Sequence, residues 1–155
     1  MKKIIYIIIF NLIFILSINA KNHNLVQVAE LNKLFDDLSK INNAQDGDVL
    51  EKKIWAVWNK HPNQKNLTEK LEFGTKLMYQ GQYDYALEVF TNIIETDPEW
   101  SEAWNKRATL LFLMKDYQKS LDDISKVLDL EPRHFGALSG RAQIYIDLEL
   151  YQNAL

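Results

Sequence analysis

The sequence predicts an all-α fold, an α-solenoid of antiparallel helical hairpins. Three observations predict it. Tyr83, Tyr117 and Tyr151 recur every 34 residues, and Leu87, Leu121 and Leu155 keep the same step. Ala86, Ser120 and Ala154 repeat it with a small residue, and Pro98 and Pro132 repeat it once more. Within each period the apolar residues fall three and four apart, the spacing of an amphipathic helix. A chain that reuses one pattern at such a period stacks copies of one supersecondary unit, each burying its apolar face on the next.

The first element is a leader. Met1-Lys2-Lys3 precedes an apolar run from Ile4 to Ile18, broken by Asn11 and Ser17 and ending at Asn19-Ala20-Lys21. A basic start, a short apolar helix and a small residue at the end describe a secretory signal peptide over residues 1–20. The run is shorter than the roughly 20 residues a spanning helix prefers. An uncleaved anchor, touching the membrane only through residues 4–18, is the alternative. The expected location is therefore the bacterial periplasm, or the inner membrane if the leader is kept. The absence of cysteine removes disulfides and a lipid on an N-terminal cysteine. Cleavage at Ala20 would take Lys2 and Lys3 away and move the net charge from −3 to −5. That balance argues against nucleic-acid binding, which needs a dense basic patch.

Residues 21–64 read as a helical hairpin outside the 34-residue register. Leu31, Leu34, Phe35, Leu38 and Ile41 mark one amphipathic helix, and Asn42 to Gly47 form a turn cluster. Asp48 with Glu51 reads as an N-cap pair opening a second helix, with Leu50, Ile54, Val57 and Trp58 on its apolar side. Terminal units of such stacks differ from inner ones because one face meets water, so this hairpin is expected to cap the first repeat.

Residues 65–155 hold the repeats: 67–100, 101–134 and an incomplete 135–155. The first carries Lys70-x2-Phe73-Gly74-x2-Leu77, then Ala86-x3-Phe90, then Pro98. The second carries Trp104-x2-Arg107-Ala108-x2-Leu111, then Ser120-x3-Ile124, then Pro132. The third begins Leu138-x2-Arg141-Ala142-x2-Tyr145. This arrangement resembles the tetratricopeptide repeat (TPR), whose pattern runs W-x2-L-G-x2-Y…A-x3-F…P. Gly74, Ala86, Phe90, Trp104, Ala108, Tyr117, Ala142 and Tyr145 are then packing positions, the small ones permitting close helix crossings. Pro98 and Pro132, with their neighbouring acids, read as helix starts. The Leu31 to Trp58 string together with Glu131 to Leu138 is also similar to exported bacterial proteins of this type. The open third unit leaves self-association as an expectation.

No catalytic constellation is visible. His23, His61 and His134 are scattered, without metal-ligand spacing. Asp36-Asp37 and Asp122-Asp123 read as solvated helix faces, because adjacent side chains on a helix diverge by about 100°. No phosphate loop or nucleophile motif appears. The chain is therefore expected to be no enzyme and to take no cofactor, metal or small-molecule substrate. Trp55 and Trp100 could serve core or surface, whereas Trp104 stands at the repeat's core position.

The resemblance implies a protein-interaction scaffold that holds a peptide or partner helix along a groove made by the first helix of each hairpin. The positions it assigns to that groove include Leu71, Thr75, Met78, Tyr79, Asn105, Thr109, Phe112 and Gln143. Some members grip a peptide's C-terminal carboxylate with Lys, Asn and Arg. Here Leu71, Thr75, Gly136 and Gly140 hold those positions, with only Lys106 basic. An apolar or amphipathic ligand therefore fits better. Two other readings stand beside this one: a recruitment module of a longer envelope enzyme, and a structural subunit of a membrane-anchored assembly.

Overall fold

The structure is a computed structural model that describes residues 25–150. The expected leader, His23, Tyr151, Ala154 and Leu155 lie outside the described residues. Every regular element among the described residues is helical. None of these helices is long and apolar enough to cross a membrane. The chain divides into two compact units between Lys65 and Asn66.

The first unit contains α1 (25–40) and α2 (Ala44–Trp58). Leu31, Ile54 and Trp58 are buried. The Trp58 ring lies 5.9 Å from that of Phe35, tilted by 49°, and meets Trp55 edge-on at 5.4 Å. The Gln27 side chain donates to the Val57 and Lys60 carbonyls at 2.9 and 2.7 Å, tying α1 to the end of α2. The second helix starts earlier than the sequence suggests. Asn43, not Asp48, is the cap: its side chain accepts from the Asp46 N–H at 2.9 Å while its amide donates to the Asp46 carboxylate. Side-chain capping thus draws the expected turn residues into the helix's first turn.

The second unit is the repeat array: α3 (Lys65–Tyr79), α4 (Tyr83–Thr96), α5 (Ser101–Leu113), α6 (Tyr117–Leu130) and α7 (Phe135–Asp147). Helix α4 packs on α5, α5 on α6, and α7 on both α5 and α6. One core joins Leu67, Leu71, Ala86, Phe90, Ile93, Trp100 and Leu110, and a second joins Ala108, Ile124, Val127, Ala137 and Ile144.

The 34-residue period extends to the backbone. Gly81, Lys115 and Glu149 have φ of 75°, 61° and 58°, the left-handed conformation that ends a helix. In each, the N–H of that residue and of the next fold back onto the helix: Gly81 to Met78 and Gln82 to Leu77, Lys115 to Phe112 and Asp116 to Leu111, Glu149 to Ile146 and Leu150 to Tyr145. The same corner is built three times, though only the first uses glycine.

Close approach follows the small residues. A Cβ added to Gly74 would lie 2.7 Å from Phe90 Cε1 and 3.0 Å from Val89 Cγ1, so only glycine fits beneath that ring. At the equivalent crossing Ala108 faces the second hairpin, where buried Ser120 donates its hydroxyl to the Ala108 carbonyl at 2.8 Å. The prolines do not open helices. Pro98 and Pro132 are exposed and precede the helices, whose N-caps are Trp100 and His134. The Pro98 carbonyl instead accepts the Trp104 ring N–H at 2.9 Å.

Candidate functional site

A pocket of about 280 Å³ lies among α5, α6 and α7. Helices α5 and α7 supply most of its wall through Asn105, Thr109, Phe112, Ser139 and Gln143, with Ile124 of α6 among the residues behind them. Glycines 136 and 140 belong to the same wall, and a Cβ added at Gly140 would find its nearest neighbour, Ile124 Cδ1, at 3.7 Å. Among the described residues no ionisable side chain lines it. It is an apolar recess rimmed by neutral hydrogen-bonding groups, the composition of a site for an uncharged or amphipathic ligand.

Four of the eight groove positions expected from sequence therefore meet here: Asn105, Thr109, Phe112 and Gln143. Thr109 donates its hydroxyl to the Asn105 carbonyl at 2.9 Å, and Thr75 does the same to Leu71 at 2.8 Å, so this back-bond also recurs with the period. Gln143 donates to Asp147 at 2.8 Å, and Phe112 packs at 5.8 Å from the Tyr117 ring. The other four positions do not join the recess. Leu71 and Met78 are buried in the first core cluster and present no ligand surface, because that stripe of α3 also carries the packing face. Thr75 is half-buried. Tyr79, at the end of α3, is 81% exposed.

Asn105 of the recess also joins a charged network that sequence reading missed. Glu102 and His134 are both fully buried, with Nε2 3.0 Å from Glu102 Oε2. Asn105 donates to the same carboxylate oxygen at 3.2 Å, and Lys106 Nζ lies 2.8 Å from Oε1. Lys106, the one basic residue among the clamp positions, is thus tied to Glu102. His134 is a capping residue whose Nδ1 accepts from Ala137 N–H at 3.2 Å. His61 acts similarly, its Nδ1 accepting from Gln64 N–H at 3.0 Å.

Asp123 corrects the solvated-face expectation. It is buried and holds the Arg107 guanidinium bidentately at 2.7 and 2.9 Å, while Asp122 next to it is exposed and accepts from Gln118 at 3.0 Å. Arg107 also reaches Thr91 at 3.2 Å and lies 5.0 Å over Trp104. The helical divergence of adjacent residues puts one aspartate inward and the other out. Trp100 is buried in the core, Trp104 is partly buried, and Ala142 and Tyr145 are half-buried.

Tyr117 donates to Asp147 at 3.3 Å across α6 and α7. Desolvation, with the neighbouring Asp147 charge and its hydrogen bond, raises that phenol. Burial alone would raise Glu131, but the hydrogen bonds and charge of Arg133 hold its carboxyl below the ordinary value. Among the described residues no group of His, Asp and Glu is placed to hold a metal ion.

No family model matches the chain. It is similar to a TPR repeat-containing protein of Rhizobium etli, 35% identical over 114 residues, which are 74% of this chain and 55% of that protein. It is also similar to the DnaJ homolog subfamily C member 7 of Homo sapiens, 28% identical over 97 residues, 60% of this chain and 20% of the other. The BBSome complex member BBS4 homolog of Drosophila melanogaster is 30% identical over 84 residues, 54% of this chain and 17% of the other. The chain thus spans about half the length of the Rhizobium relative and a fifth or less of the other two.

Proposed function

The chain is a tetratricopeptide-repeat protein, and on that premise we propose that it is a non-enzymatic scaffold that seats a peptide or partner helix in the recess of α5, α6 and α7. The recess carries this reading, because it gathers Asn105, Thr109, Phe112 and Gln143 around an uncharged apolar floor. Its neutrality favours an apolar or amphipathic segment over a free carboxylate, and the engagement of Lys106 with Glu102 supports the same choice. Phe112 is the anchor and the neutral polar groups set orientation. The basic and apolar leader supports action in the bacterial envelope.

Peptides selected on the chain from a random display library test the site. Phe112→Ala should weaken the selected binders about tenfold with helical circular dichroism unchanged. Undiminished binding would move the site elsewhere. N-terminal sequencing of the exported protein tests the location, with a start at Lys21 expected and a retained Met1 arguing for an anchor.

A further inference from the structure

The recess of α5, α6 and α7 has a hydrogen-bonding polarity as well as a shape. Asn105, Thr109, Ser120, Ser139 and Gln143 are its polar side chains. All but Ser139 have turned a donor into the protein. Asn105 donates to the Glu102 carboxylate at 3.2 Å, and Gln143 donates to Asp147 at 2.8 Å. A carboxylate only accepts, so in both pairs the facing atom is the amide nitrogen. The Thr109 hydroxyl donates to the Asn105 carbonyl, and the Ser120 hydroxyl to the Ala108 carbonyl. What these groups leave for a guest is oxygen. Asn105 Oδ1 and Gln143 Oε1 accept no hydrogen bond among the described residues, and neither atom is sealed from solvent. Asn105 is also locked. Glu102 is held by His134 and Lys106, so turning the carboxamide over would set oxygen against a buried carboxylate.

We infer that the recess takes the indole of a tryptophan on the partner segment, its ring N–H donating to Asn105 Oδ1; this rests on the recess being the peptide site proposed above. Among side chains only Trp, Lys and Arg donate without accepting. Lys and Arg bring a charge, and among the described residues no ionisable side chain lines the recess to replace the water they would lose. Side chains that also accept would set one lone pair against another. A purely aliphatic or phenyl guest would cover Asn105 Oδ1 and leave it without a donor. The indole satisfies that oxygen and brings only apolar surface with it. Its size is compatible with the space. An apolar cavity of about 150 Å³ holds a benzene ring, and this recess of about 280 Å³ has room for two fused rings. Gly136 and Gly140 keep side chains off part of the α7 wall, and Phe112 supplies an aromatic neighbour.

Indole and benzothiophene, which share a shape but differ in N–H against sulfur, are the probes, titrated against the isotope-labelled chain by amide NMR. Both should shift the amides around Phe112 and Gly140, with indole binding about tenfold more tightly. Asn105→Ala should abolish that preference and leave benzothiophene within about twofold of its original affinity, which also shows the variant to be folded. The comparison on the unaltered chain stands whether or not the alanine variant folds. Equal affinities for the two probes, both lost in Phe112→Ala, would overturn the inference and leave the recess as the site of an apolar guest. Binding of neither probe, or binding untouched by Phe112→Ala, would overturn the inference together with the choice of site. Butylamine binding more tightly than indole would overturn it by giving the recess to a lysine.

Discussion

His134 Nε2 lies 3.0 Å from Glu102 Oε2, and both side chains are fully buried. The backbone sets the tautomer. Ala137 N–H donates to Nδ1, so the ring proton sits on Nε2 and donates to the carboxylate. One imidazole therefore caps α7 and closes the carboxylate at the start of α5. The joint holds the third unit's first helix against the second unit.

Replacing His134 with alanine should remove both functions and leave Asn105 as the remaining donor to the buried Glu102 Oε2, at a cost of about 2–4 kcal/mol. Asparagine can still cap the helix, so His134→Asn should cost roughly half as much. Urea denaturation of the two variants checks this ranking, which a merely space-filling histidine would not produce.

At the first crossing, Gly74→Ala should destabilise by about 1–3 kcal/mol, since the added methyl meets the Phe90 ring. Pairing it with Phe90→Leu should recover part of that loss, making the two changes non-additive. A double-mutant cycle by thermal unfolding measures the coupling.

The three left-handed corners make an opposite prediction. Lys115 sits at φ 61° without glycine's freedom, so Lys115→Gly should stabilise the chain by roughly 0.5–1 kcal/mol. Gly81→Ala should destabilise by a similar amount. Chemical denaturation with an unchanged slope is the measurement.

Glu131 gives a pH dependence of known sign. Arg133 holds its folded-state carboxyl below the ordinary value of 4.5. That contribution to stability is therefore present above about 4.5 and lost as the pH falls through the lower folded value. Arg133→Gln should raise the Glu131 titration midpoint seen by carboxyl NMR and flatten the acid limb of the stability curve.

The fold was legible because the period constrains many positions at once, and packing honours it at Gly74, Ala86, Phe90 and Ala108. The candidate site was legible only in part. Helix register placed Asn105, Thr109, Phe112 and Gln143 together, but it could not show that Leu71 and Met78 are packed away, since burial is a property of neighbours rather than of spacing. The charged joints stayed hidden for the same reason: Glu102 and His134 stand 32 residues apart and share no local pattern. Lys115 and Glu149 give no turn signal by residue type. Aligning them with Gly81 at the repeat step would have found both corners.

The size match between Gly74 and Phe90, against that of Ala108 with Ile124, makes the hairpins specific to their own sequels. Exchanging α4 for α6 would put a phenyl ring over an alanine at one junction and leave an underfilled gap at the other. Volume alone thus writes the assembly order into the array, and it biases a nascent chain against pairing a helix with the wrong copy.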